Sequence, residues 1–192
     1  MKRYRTFSSY LKSRYDKKTW KISVQADFSC PNRDGTISSS GCIYCNNEAF
    51  TPGHRTGLSV GEQIENGISV LKKKRKAEQF IAYFQTFTNT YADPEKLKSL
   101  YDAAVSNSRV CCLAIGTRPD CVSDTVLDLL ASYKETVDVW IEYGLQSIHN
   151  TTLKRIRRGH TYEDFLTALE KTQKRNLPVC VHIIAGLPGE TR

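Results

Sequence analysis

No run of apolar residues in this 192-residue chain approaches the length of a membrane-spanning helix. The first 21 residues are basic and aromatic, and they lack the apolar stretch of a secretory signal. Both absences lead us to expect a cytoplasmic protein with no membrane partner. Low-complexity segments, interdomain linkers and short-period repeats are missing too. With 40% hydrophobic and 25% charged residues, the composition is that of one globular core. A second C-x2-C pair is absent, whereas structural zinc sites normally want four ligands, often as two pairs. The seven cysteines are an odd number in a chain without an export signal, which argues against a disulfide framework. Metal binding or catalysis becomes the leading question.

What is present is unevenly distributed. Of the formal net charge of +8, most sits in residues 1–21, where eight Lys or Arg face only Asp16. Tyr4, Phe7, Tyr10, Tyr15 and Trp20 are interleaved there. Such a basic, aromatic arm fits a polyanionic partner such as RNA, or equally an amphipathic segment covering the bottom of a barrel. A second run, Lys72 to Lys76, closes a predicted helix, where cations complement the helix dipole, and reads as a solvated face.

Apolar, β-branched runs alternate with helical patterns along the chain. Strands are expected at Trp20–Ala26, Phe80–Phe84, Val110–Ile115, Val137–Tyr143 and Val179–Ile184. Helices are announced by Ser59 with Glu62, Asp93 before Pro94, Ser123, and Thr161 with Asp164. The first should run to about Arg75, the third to about Tyr133 and the fourth to about Asn176. Repeated strand–helix–strand units imply an α/β fold with a parallel sheet and right-handed crossovers. Five strands are too few to close a barrel. The expected architecture is therefore a partial (β/α) TIM-like barrel, truncated after about the fifth strand, with residues 1–21 as an arm and 22–192 as the N-terminal part of a core. Glycine-rich and polar segments follow the strands, while the helix-to-strand connections carry nothing comparable. In β/α barrels that end of the strands builds the active site.

The first such loop reads Cys30-Pro-Asn-Arg-Asp-Gly-Thr36, then Gly41-Cys42-Ile43-Tyr44-Cys45. Three thiolates from one loop can hold three irons of a cubane and leave the fourth iron open. The spacing C-x11-C-x2-C does not by itself exclude zinc. Cys111, Cys112 and Cys180 read more simply as small buried hydrophobes, and Cys121 follows a strand end.

Taken with Gly116-Thr-Arg-Pro-Asp120, Gly144-Leu-Gln-Ser147 and Gly186-Leu-Pro-Gly-Glu-Thr191, in this order, the cysteine loop resembles the radical S-adenosylmethionine (SAM) superfamily. The likeness is to its YhcC/YtqA-like branch, related to the elongator catalytic subunit. The first two cysteines stand farther apart than in the usual C-x3-C-x2-C pattern. The resemblance implies an enzyme with a radical SAM barrel. Cys30, Cys42 and Cys45 would hold a [4Fe–4S] cluster, with Tyr44 against the SAM adenine. Gln146, Arg158 and His182 match SAM-contacting positions, Arg158 toward the carboxylate, and Gly186 lies in a turn approaching the adenine. A Gly-Gly-Glu that binds the SAM amino group in many members is replaced here, so Asn89 or Thr90 is expected to substitute. A ribose-binding Glu of elongator-like relatives is Gly116 here, which turns attention to Thr117 or Gln146. Glu142 is expected as a polar lining residue whose partner the sequence does not identify. The implied chemistry is reductive cleavage of SAM to a 5′-deoxyadenosyl radical, fed by a flavodoxin- or ferredoxin-type reductant. The implied substrate is tRNA at the wobble uridine. A protein or small metabolite is the alternative substrate, and a zinc-stabilised nucleic-acid-binding module the alternative class.

Overall fold

The protein's structure is a computed structural model and describes residues 3–46 and 57–191. Its centre is a parallel sheet of β1 (Thr19–Val24), β2 (Gln79–Phe84), β3 (Val110–Thr117), β4 (Asp138–Gln146) and β5 (Val179–Ile183), in the spatial order 1-2-3-4-5. Sequential strand order with helical connections is the barrel pattern, and the expected partial (β/α) barrel is what the chain forms. The helices are α1 (Phe7–Arg14), α2 (Val60–Arg75), α3 (Pro94–Val105), α4 (Asp124–Ser132), α5 (Asn150–Arg155) and α6 (Tyr162–Gln173). Among the described residues no helix is long and apolar enough to cross a membrane.

The helix starts follow their signals. Ser59 and Glu62 form a capping box on α2, as do Thr161 and Asp164 on α6. Asp93 caps α3, with Pro94 opening its first turn. One strand face packs on these helices: Val24, Phe80, Phe84, Leu113, Ile115, Ile141 and Tyr143 join Ile64, Leu97, Tyr101, Leu127 and Phe165 in one core. The period of two sends Ile81, Cys112, Ala114 and Trp140 to the opposite face.

That second face is where α1 sits. Leu11 is buried against it, and the rings of Phe7 and Tyr10 lie 6.0 and 5.8 Å from Trp140. The Arg14 guanidinium grips Asp138 with two hydrogen bonds of 3.0 and 2.8 Å, and the Tyr15 hydroxyl donates to the same carboxylate. Of the two readings of the arm, packing therefore describes Phe7, Tyr10 and Tyr15, while Lys12, Lys17 and Lys18 stay exposed. Met1 and Lys2 lie outside the described residues. The Lys72–Lys76 run is exposed, as expected of a solvated helix end.

Several boundaries differ from expectation. β1 stops at Val24 because the Gln63 side chain takes both the N–H and the carbonyl of Gln25, and Asp27 then turns left-handed at a φ of 48°. β4 continues past Tyr143 to Gln146, where it still pairs with Ile183. α6 ends at Gln173, and the next turn tightens into i−3 bonds before Asn176 turns left-handed.

Candidate active site

The C-terminal strand ends surround a cavity of about 480 Å³. Cys30, Cys42, Cys45, Tyr44, Thr117, Gln146, Arg158 and His182 all reach its wall. Asn89, Thr90 and Gly186 do not. Asn89 is buried and its amide donates to the carbonyls of Phe84 and Gly116, tying two strand ends together. Thr90 bonds the Thr117 hydroxyl and the Cys121 carbonyl, both at 2.6 Å. Neither residue is on the cavity wall, and these side-chain atoms have internal partners. Gly186 takes a φ of +81° in the turn after β5, and the turn stays outside the cavity wall.

The cysteine loop is folded on itself before it meets any ligand. The amides of Arg33 and Asp34 donate to the Cys30 carbonyl, Gly41 N–H to Asn32, and Cys45 N–H to Cys42. It is tied across the chain by Ile43 N–H to the Ile156 carbonyl and by the Asn32 amide to the Arg157 carbonyl. Cys42 is buried, while Cys30 and Cys45 are half-buried. The Cys42 sulfur accepts from Asn32 Nδ2 at 3.2 Å and from Arg158 Nη1 at 3.8 Å. An amide and a guanidinium thus converge on one buried sulfur.

Three cysteines of one loop on the cavity wall are a donor set that could hold three irons of a cubane and leave the fourth open, whereas a structural zinc site normally takes four ligands. The buried hydroxyl of Thr88, a residue of the cavity wall, has no hydrogen-bond partner among the described residues.

Arg158 is the hub of the β4 side. Nε and Nη2 both donate to the Gly144 carbonyl, at 3.1 and 2.6 Å, while Nη1 reaches Cys42. Its backbone carbonyl receives Arg118 Nη1 at 2.8 Å, and Arg118, itself fully buried, is held in a two-pronged pair by Asp120. The His160 ring nitrogens lie 3.1 Å from the Thr161 carbonyl and 3.2 Å from the Gly144 carbonyl; burial together with Arg158 pulls its pKa down to about 4, so the neutral ring donates to one of the two. Gln146 enters the cavity from a left-handed φ of 73°, next to a register shift between β4 and β5. Tyr44 packs against Leu153, Ile156 and Leu187, and burial pushes its phenol pKa up.

Gly144 leaves room for two side chains of the cavity wall. A Cβ there would stand 2.6 Å from the Gln146 amide nitrogen and 2.7 Å from Arg158 Nη2. Gly144→Ala is therefore expected to displace both side chains and weaken cofactor binding by about tenfold, within the usual 1–3 kcal/mol cost of overpacking. Calorimetric titration of wild-type and variant protein reads this out.

Deeper in the cavity, Glu142 accepts from Lys21 Nζ at 2.8 Å and from His182 Nε2 at 2.9 Å. Burial alone pushes its carboxyl up, but the hydrogen bonds from His182 and Lys21 outweigh burial and hold it at about 2. Cys180 and Glu142 raise His182 to about 9. Sequence reasoning missed the structural roles of Asn32 and Arg118, although both stand in the quoted motifs. No local signal marked His160 or the Lys21 partnership.

A profile of the radical SAM superfamily matches residues 33–192. YhcC of Escherichia coli K12 is 43% identical over 185 residues, covering 96% of this chain and 59% of YhcC, so the chain spans about three-fifths of that relative's length. A tRNA uridine(34) acetyltransferase of Methanocaldococcus infernus is 35% identical over 98 residues, 49% of this chain and 18% of that protein. Among solved structures, the archaeal Methanocaldococcus infernus Elp3 superposes with a TM-score of 0.64 at 21% identity, covering 91% of this chain and 40% of that one, which shows a shared fold. Family profile and relative agree: this chain belongs to the radical SAM superfamily of enzymes, in its YhcC-like branch.

Proposed function

We propose that Cys30, Cys42 and Cys45 hold a [4Fe–4S] cluster, that the adjoining cavity binds SAM, and that the protein acts on the wobble uridine of tRNA. One observation carries the cofactor reading: three cysteines of one loop share a cavity wall with Arg158, whose guanidinium reaches the Cys42 sulfur. When bound, cluster and cofactor supply one-electron cleavage of the sulfonium and abstraction of a substrate hydrogen, and they draw the electron from a flavodoxin- or ferredoxin-type partner.

The chain's own groups have separate tasks. Asn32 and Arg158 orient the Cys42 sulfur and tune the centre through hydrogen bonds to it. Arg158, anchored on Gly144, meets the carboxylate of SAM with a charge-assisted hydrogen bond. Thr117 and Gln146 serve the ribose, Tyr44 packs on the adenine, and the unpartnered Thr88 hydroxyl takes a polar group of the cofactor. The cavity volume lies within the range of small-molecule sites, about 300–1,000 Å³.

The tRNA reading is supported by the tRNA uridine(34) acetyltransferase among the relatives and by the net charge of +8. Its test compares modified nucleosides in tRNA from a deletion strain and its parent. Loss of one wobble-uridine modification is expected. An unchanged profile points to a protein or small-metabolite substrate.

A further inference from the structure

The cavity floor carries charged groups that cofactor binding does not use. Along each strand the face opposite the helices changes character. Its lower part, Ile81, Cys112, Ala114 and Trp140, is apolar and closed by Leu11. Tyr83 stands level with Ala114 and Trp140, Glu142 is one rung higher between Gly116 and Cys180, and His182 stands beside Gly144 across the β4–β5 register. Tyr83, Glu142 and His182 all line the cavity. Both carboxylate oxygens of Glu142 are engaged, one by Lys21 and the other by His182. Lys21 also lies 3.7 Å from the Tyr83 ring centre.

The His182 side chain is 47% exposed and lines the cavity, with the weakly accepting Cys180 sulfur as its other neighbour. Glu142, Cys180 and His182 bring their donor atoms within 4.8 Å, but the Lys21 ammonium neutralises the carboxylate and disfavours a cation. The floor therefore offers N–H donors. Phe87 adds a second feature: it lines the cavity, is 38% exposed, and holds a left-handed φ of 64° that a bulky side chain rarely adopts. An exposed, strained aromatic ring at a cavity wall is a stacking surface in want of a partner.

We infer that His182, oriented by Glu142, is a substrate-recognition residue that donates a hydrogen bond to a carbonyl oxygen of a planar heterocycle stacked on Tyr83 or Phe87. This deepens the radical SAM reading of the same cavity and moves His182 from the cofactor to the substrate. Lys21 of β1, Tyr83 of β2, Glu142 of β4 and Cys180 of β5 are the titratable groups facing His182. Cys180 and Glu142 raise His182 to about 9, so the donor is charged below that value and binding weakens as pH rises through it.

The test uses cluster-loaded protein, with uridine as the planar carbonyl probe and SAM measured in parallel by equilibrium dialysis. In His182→Leu, uridine affinity should fall about tenfold, as loss of a hydrogen bond from a charged donor predicts, and SAM affinity should stay within about twofold. Glu142→Gln should weaken uridine binding in the same direction and lower the pH at which it is lost. A tenfold loss of SAM affinity in His182→Leu overturns the inference and returns this residue to the cofactor. Wild-type protein that binds SAM but not uridine also overturns it, with the cofactor reading intact. Wild-type protein that binds neither iron nor SAM, yet loses uridine on His182→Leu, sinks the cofactor reading and leaves this one standing.

Discussion

Cys42→Ala is expected to lower iron from about four per chain to below one, and SAM cleavage by roughly 10³-fold or more. The Cys42 sulfur is the most buried of the loop thiols, and two donors converge on it. Alanine would leave two thiolates, too few to hold three irons of a cubane, with Asn32 and Arg158 aimed at an empty position. The fold should survive, since removing one small buried sulfur costs on the order of 1 kcal/mol and the Asn32 amide keeps its bond to the Arg157 carbonyl. Iron analysis and thermal unfolding, run side by side, separate the two effects. Cys111→Ala, altering a strand thiol of β3 that does not reach the cavity, should keep its iron.

Arg158→Ala has the second largest consequence. Hydrogen bonds to charged groups contribute about 1.5–3 kcal/mol, so losing the contact to the SAM carboxylate should weaken SAM binding by roughly 10- to 100-fold. Arg158→Lys should recover little, because a single ammonium cannot span the Gly144 carbonyl and the Cys42 sulfur together. Lys154→Ala changes an exposed cation one turn away and should bind SAM like wild type. Equal losses in both variants would mean that bulk positive charge, rather than the anchored guanidinium, holds the cofactor.

Elements with local causes were legible in the sequence. Capping residues Ser59, Asp93, Ser123 and Thr161 marked helix starts because a side chain satisfying a nearby backbone N–H is a contact over two or three residues. Strand alternation marked the sheet, and polar strand ends marked the cavity. The short α5, Asn150–Arg155, escaped notice because it has no side-chain cap. The partner of Glu142 was hidden for another reason: Lys21 lies 121 residues away and meets it only because β1 and β4 share a sheet face. The bracing of strand ends by Asn89 and Thr90 was hidden for the same reason, since Gly116 and Thr117 reach them from the next strand. Likewise α1 was read as an arm, and a stretch of only eight residues of low apolar content becomes a helix through Trp140 and Asp138, which arrive from far along the chain.

The central claim is that the Cys30–Cys45 loop and the cavity beside it form a radical SAM centre. The most direct measurement is anaerobic reconstitution of the purified protein with iron and sulfide, followed by reduction in the presence of SAM. The account predicts a brown protein with about four irons per chain that yields 5′-deoxyadenosine and methionine. A colourless protein that retains zinc through the same three cysteines and leaves SAM intact would contradict it.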